Sequence, residues 1–172
     1  MDDHLGKYRF SRLKSLQLFF NSHGRKQGDR KITLIVDKSG GGIGKTFWGR
    51  WEDLNGNATY IDGTDTKNII RDIFDTVEKK SERRIHTFII DLSRADRQDS
   101  ELYARLETLK NGYLNDGRYS YRRMWIHPPI IYVLTNQEPD DWNTLSKDRW
   151  DKIFVNKKYR QEWICREMEF GD

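Results

Sequence analysis

The chain has little cysteine and little proline: one Cys and three Pro in 172 residues. The lone thiol, Cys165, cannot close an intrachain disulfide, so packing must hold the fold and a reducing, intracellular setting is expected. The four histidines, His4, His23, His86 and His127, have no Cys or second His at ligand spacing. No protein-built metal centre is therefore expected. No apolar run approaches the ~20 residues of a membrane span, and no signal peptide opens the sequence, so no membrane partner is expected. Repeats and low-complexity linkers are also lacking. Nor does one sign of charge dominate, since the net charge is only +4.

What is present is unevenly spread. Between Lys7 and Lys31 eight Lys and Arg stand against one acid, Asp29, which leaves the rest of the chain net acidic. Such asymmetry suits one face for a polyanion. Hydrophobic residues make up 35% and aromatics 13%, enough for one lean core. Residues 1–30 read as a basic helix, Tyr8 to Phe20 with Leu13, Leu16, Phe19 and Phe20 on its apolar side, and a polar loop. This unit is a candidate oligomerisation element, and residues 31–172 form the main domain.

In that domain, short apolar runs alternate with helical stripes. Lys31–Asp37, Ala58–Asp62, Ile85–Asp91 and Pro129–Thr135 read as buried strands. A helix is expected from Lys45, another over Thr64–Lys79 with Thr64 or Asp65 as N-cap, and a third over Glu101–Leu109. Asn115-Asp116-Gly117 marks a tight hairpin turn within Gly112–Tyr121. A short helix is expected around Leu145–Trp150, then strands over Lys152–Val155 and Trp163–Phe170. The alternation predicts an α/β three-layer fold on a mainly parallel central sheet. Ligands in such sheets bind at the carboxyl ends of strands.

Residues 39–46, Ser-Gly-Gly-Gly-Ile-Gly-Lys-Thr, follow the first strand and precede a helix. They match the P-loop pattern except that Ser39 replaces its first glycine. Gly40, Gly41, Gly42, Ile43, Gly44, Lys45, Thr46 and Phe47 are the expected nucleotide-binding residues. Glycines let backbone N–H groups turn onto phosphate, and the following helix adds its dipole. Lys45 is expected to reach the β- and γ-phosphates of ATP, and Thr46 to hold Mg²⁺ together with Asp91, the acid closing the third strand. The next residue is Leu92, not a second acid, so the base is unassigned, with Asp96, Glu101 and Glu107 as candidates. Asn136, closing the fourth strand, suits a sensor of the γ-phosphate.

Taken in order, these segments resemble the superfamily 3 helicase domain of replication initiators from circular single-stranded DNA viruses, nanovirus-like and circovirus-like. The resemblance rests on Asp37–Thr46 with Ala58–Gly63, on Phe88–Arg94, on Tyr103–Tyr119, and on Pro129–Pro139 with Leu145–Trp150. It implies an AAA+-like P-loop ATPase whose homo-oligomeric ring, a hexamer, draws single-stranded DNA through its centre 3′ to 5′. Tyr103–Tyr119 resembles the family's B′ segment, which implies Lys110, Asn111, Tyr113, Arg118 and Tyr119 as DNA-binding residues. Independently, Lys110 to Arg123 holds four basic residues, one acid and interleaved tyrosines, a composition suited to single strands. Lys110 is expected to point away from its helix's buried face. Arg149 or Arg94 is a candidate finger acting on a neighbour's nucleotide, with a structural pairing of Arg149 to Asp148 or Asp151 as the alternative. The family also implies the host nucleus and a nicking endonuclease domain with a His-x-His pair, which this chain lacks. Two other readings are a P-loop kinase and a nucleotide- and DNA-binding module with weak hydrolysis.

Overall fold

A computed structural model of the chain describes Phe20 and residues 30–63, 65–94, 100–116, 122–155 and 166–167. The first strand, β1 (Ile32–Asp37), is buried along its whole length. It runs through the glycine loop into helix α1 (Lys45–Leu54). Then come β2 (Thr59–Asp62), α2 (Thr66–Lys80) and β3 (Thr87–Asp91). Helix α3 (Ser100–Lys110) leads into a hairpin of β4 (Tyr113–Asp116) and β5 (Arg122–Trp125). The chain returns through β6 (Ile130–Thr135) and β7 (Trp150–Val155) to the two-residue β8 (Arg166–Glu167).

Six strands form one sheet in the order β2-β3-β6-β1-β7-β8, and the hairpin stands apart as a second, two-stranded sheet. Every pairing from β2 through to β7 is parallel; only β8 is antiparallel. The expected α/β architecture with a mainly parallel sheet is thus present.

Side chains alternate across these strands and make a core on each face. Leu34, Val36, Phe88, Ile90, Ile131 and Val133 face α2, α3 and the hairpin. Ile35, Ile89, Tyr132, Leu134 and Ile153 share the other core with Trp48 of α1 and with Phe20. Helix α2 meets the sheet through Ile69, Ile70, Ile73, Phe74 and Val77, the stripe its sequence spacing implied. Each such side chain, once buried, contributes roughly 1.5–3 kcal/mol. Asp65 caps α2, accepting a hydrogen bond from the Lys67 N–H at 3.0 Å.

Phe20 is fully buried; its ring centroid lies 5.2 Å from that of Trp48, and its carbonyl accepts from the Tyr132 hydroxyl at 3.1 Å. The first 30 residues therefore contribute at least one side chain to the main core. The rest of the expected N-terminal helix, the loop after it and Cys165 lie outside the described residues.

Two sequence expectations need correction. Asn115 and Asp116 do not form the hairpin turn: they lie in β4, paired with Arg123 and Arg122. The connection runs over residues 117–121, outside the described residues. Leu145–Trp150 is not one helix. Trp142–Thr144 and Lys147–Arg149 form separate 3₁₀ turns, a form that normally runs for only a few residues, and Trp150 already begins β7. Of the strand expected over Trp163–Phe170, the described part is Arg166–Glu167.

Candidate active site

The carboxyl ends of β1, β6 and β3 lie side by side, because β6 sits between the other two. Each contributes one polar residue: Asp37, Asn136 and Asp91. The glycine loop leaves β1 at this edge with Gly40, Gly41, Gly42 and Gly44 at φ +76°, +130°, +85° and +89°. A side chain at any of these four would strain the backbone. Ile43 between them turns inward and is buried with Trp48 and Phe20. Phe47 is half-buried on the first turn of α1.

Lys45 is the first residue of α1 and is only 4% exposed. Its Nζ lies 3.1 Å from Asp37 Oδ2 and donates to Asn136 Oδ1 at 2.7 Å. Asp37 is fully buried. Its other oxygen accepts from the Ser39 N–H at 3.0 Å and from the Ser39 hydroxyl. Burial holds the Lys45 ammonium below its ordinary pKa, while Asp37 and Asp91 pull in the opposite direction. Lys45 is thus not the loosely held, exposed side chain that a glycine-rich loop suggests.

Asp91 is the second centre. Its Oδ2 accepts from the Thr46 hydroxyl at 2.6 Å and the Tyr60 hydroxyl at 2.8 Å, and its Oδ1 from the Ser93 N–H at 2.9 Å. Burial alone would raise this carboxyl, but hydrogen bonds from Ser93, Thr46 and Tyr60 more than offset it and hold the pKa below the ordinary value. Tyr60 is pushed up in turn, by burial and then by the Asp91 charge. The Asn136 side-chain amide donates to the Ser93 carbonyl at 3.2 Å, which ties the two centres together. A hydroxyl that gives its proton to a carboxylate keeps its lone pairs for a cation, so Thr46 and Asp91 fit the Mg²⁺ of a nucleotide.

Sequence reasoning placed Lys45, Thr46, Asp91 and Asn136 at one site, and the fold brings them together. It missed Asp37 and Tyr60. Tyr60 reaches Asp91 because Gly49 leaves room: a Cβ there would sit 2.5 Å from the Tyr60 ring. The strand-end acid Asp37, next to a lysine-bearing loop, was the available signal for the other.

The DNA-binding set fares differently. Lys110 is 2% exposed, and its ammonium donates to the Pro129 carbonyl at 2.6 Å. The expectation that it points away from the buried face is wrong. Asn111 is exposed, but its Oδ1 accepts from Arg149 at 3.1 Å. Tyr113 packs against Trp125, ring centroids 5.0 Å apart. Arg118 and Tyr119 lie outside the described residues. Trp125, not singled out in the sequence, is 73% exposed. The register puts Tyr113, Trp125 and the exposed Arg123 on one face of the hairpin.

Arg149 is buried, with Nε 2.7 Å from Glu107 Oε1. Its partners are Glu107 and Asn111, not Asp148 or Asp151, and it braces α3 within its own chain. A finger reaching into a neighbour needs an exposed guanidinium, so this geometry speaks against Arg149 in that role. Arg94, by contrast, is exposed after β3. The pairing with Arg149 also occupies Glu107, one of the three candidate bases; Glu101 is exposed on α3, and Asp96 lies outside the described residues.

Compared with models of known protein families, the chain matches none. A search of curated proteins gives no match either. Among the described residues no helix is long and apolar enough to cross a membrane.

Proposed function

We propose that the chain is an ATP-dependent DNA helicase motor, a P-loop ATPase of the superfamily 3 type. The observation that carries this reading is the meeting of Lys45, Thr46, Asp91 and Asn136 at the carboxyl edge of a parallel sheet, below a loop of left-handed glycines. In this reading the loop's N–H groups and Lys45 bind the phosphates of ATP. Thr46 and Asp91 would hold Mg²⁺, which neutralises phosphate charge when bound. Asn136, already bonded to Lys45 and to the Ser93 carbonyl, senses the terminal phosphate and orients water. Arg94 is the better-placed candidate for a finger in trans, because it is exposed.

The track is single-stranded DNA. An exposed Trp beside a Tyr and an Arg on one hairpin face supports base stacking and phosphate contact. Lys110 supports the hairpin from below. A ring of identical subunits in the host nucleus belongs to the same proposal and rests on the family resemblance alone.

The test is ATP turnover by the purified chain with and without single-stranded DNA. A motor hydrolyses ATP and does so several-fold faster with DNA. ATP consumption that requires a small acceptor, to which the terminal phosphoryl group is transferred, would favour a kinase. Binding of both ligands without turnover would favour the binding module, a reading to which Leu92 in place of a second acid lends support.

A further inference from the structure

We propose that Asp37 competes with the terminal phosphate of a nucleoside triphosphate for the Lys45 ammonium and thereby sets the affinity of the site. The inference rests on the phosphate-binding reading above and concerns a residue that reading does not use.

The geometry fixes Asp37 in place. It closes β1 and is fully buried. Both groups of Ser39, N–H and hydroxyl, hold its Oδ1, and its carbonyl accepts from the Gly40 N–H at 3.1 Å. The carboxylate cannot swing away without breaking the start of the loop. Of the two, Lys45 is the side chain that can turn toward a new anion, being a compact charge on a four-carbon stem. Its ammonium stands 3.1 Å from Asp37 Oδ2. A phosphate drawn to that ammonium must share it with a fixed anion or displace it. Two anions around one buried cation repel strongly where little water screens them.

The same geometry accounts for Ser39. A P-loop normally has glycine at that position. Here the serine side chain is spent on Asp37, so Asp37 and Ser39 act as one unit. Asp37 is a positioning residue: it steers Lys45 and does not touch the reacting atoms.

The experiment measures ATP·Mg²⁺ affinity by calorimetry, and KM and kcat by turnover, on the full chain and on Asp37→Asn. The amide keeps the shape and the acceptor for Ser39 but removes the charge. ATP affinity is expected to rise, and KM to fall, by ~10-fold, the scale of one contact to a charged group, with kcat within a few-fold. A merely structural Asp37 gives the opposite, weaker binding and a higher KM. Unchanged or weaker binding by a folded variant overturns the competition and leaves the phosphate site standing. No ATP binding by either protein overturns both. Should the variant not fold, the ¹³C resonance of the Asp37 side-chain carboxyl in the wild type decides. It is expected to move when ATP·Mg²⁺ binds, and an unmoved resonance in the ATP-bound protein overturns the proposal.

Discussion

Lys45→Ala is the obvious substitution for silencing the nucleotide site, and the structure gives it a second effect. The side chain lies between a fully buried carboxylate and the Asn136 amide oxygen. Its removal leaves Asp37 buried without its cation. Breaking a buried ion pair from one side costs about 3–5 kcal/mol. Two contacts from Ser39 remain on the carboxylate, and burying the ammonium was itself unfavourable, so the lower end applies. A loss of about 3 kcal/mol is a large share of a typical 5–15 kcal/mol. For a chain of 172 residues it lowers Tm by roughly 6–12 °C. Urea unfolding of wild type, Lys45→Ala, Asp37→Asn and the double variant completes a cycle. The double variant, in which neither charge is left buried alone, is expected to be more stable than Lys45→Ala. Lys45→Ala within ~0.5 kcal/mol of wild type, or a double variant no more stable than it, would refute the reasoning. Loss of activity in Lys45→Ala is then evidence about chemistry only at temperatures where the variant is folded.

Two further outcomes are expected. Trp125→Ala should weaken single-stranded DNA binding by ~1–3 kcal/mol with little change in salt dependence, because stacking releases no counterions; equal binding curves would remove Trp125 from the track. Burial holds His86 below its ordinary pKa, and its Nε2 lies 2.8 Å from the Ser81 carbonyl. The unfolded chain therefore takes up the proton first as pH falls below about 6.5, and stability drops until the folded pKa is passed, by at most ~1.4 kcal/mol per pH unit. His86→Gln should flatten that limb of a Tm-versus-pH profile, and parallel profiles would count against it.

Much of this was legible in the sequence because it is local. β1, β3 and β6 are short apolar runs closed by Asp37, Asp91 and Thr135, and their order around the glycine loop places the site. The Asp65 cap and the α2 stripe follow from neighbouring residues alone. The burial of Lys110 is also readable in its position: it stands four residues after Leu106 and seven after Tyr103, on the buried stripe of α3. What the spacing does not show is the acceptor that lets the ammonium be buried, the Pro129 carbonyl, nineteen residues away. Arg149 and Tyr60 were beyond reach for the same reason. Arg149 finds Glu107 only when the turn before β7 folds onto α3, and Tyr60 finds Asp91 only through the register of β2 on β3. Contacts between distant segments leave no periodic trace in either one.

Strand β6 spans six residues, about 20 Å, and is fastened beyond both ends. At one end Asn136 holds Lys45; at the other, the Pro129 carbonyl holds the last residue of α3, from which the hairpin springs. Parallel neighbours on both sides, β3 and β1, keep it from buckling. Mechanically, β6 is a strut between the glycine loop and the root of the hairpin. The hairpin root is closed as well, by the Ile126 N–H on the Gly112 carbonyl at 2.8 Å, and a Cβ at Gly112 would stand 2.5 Å from the Ile126 oxygen. The hairpin is thus held at its root by backbone contacts on both of its strands' ends. Through Lys110 and the Pro129 carbonyl it is tied to the start of the strand whose far end leads to Asn136.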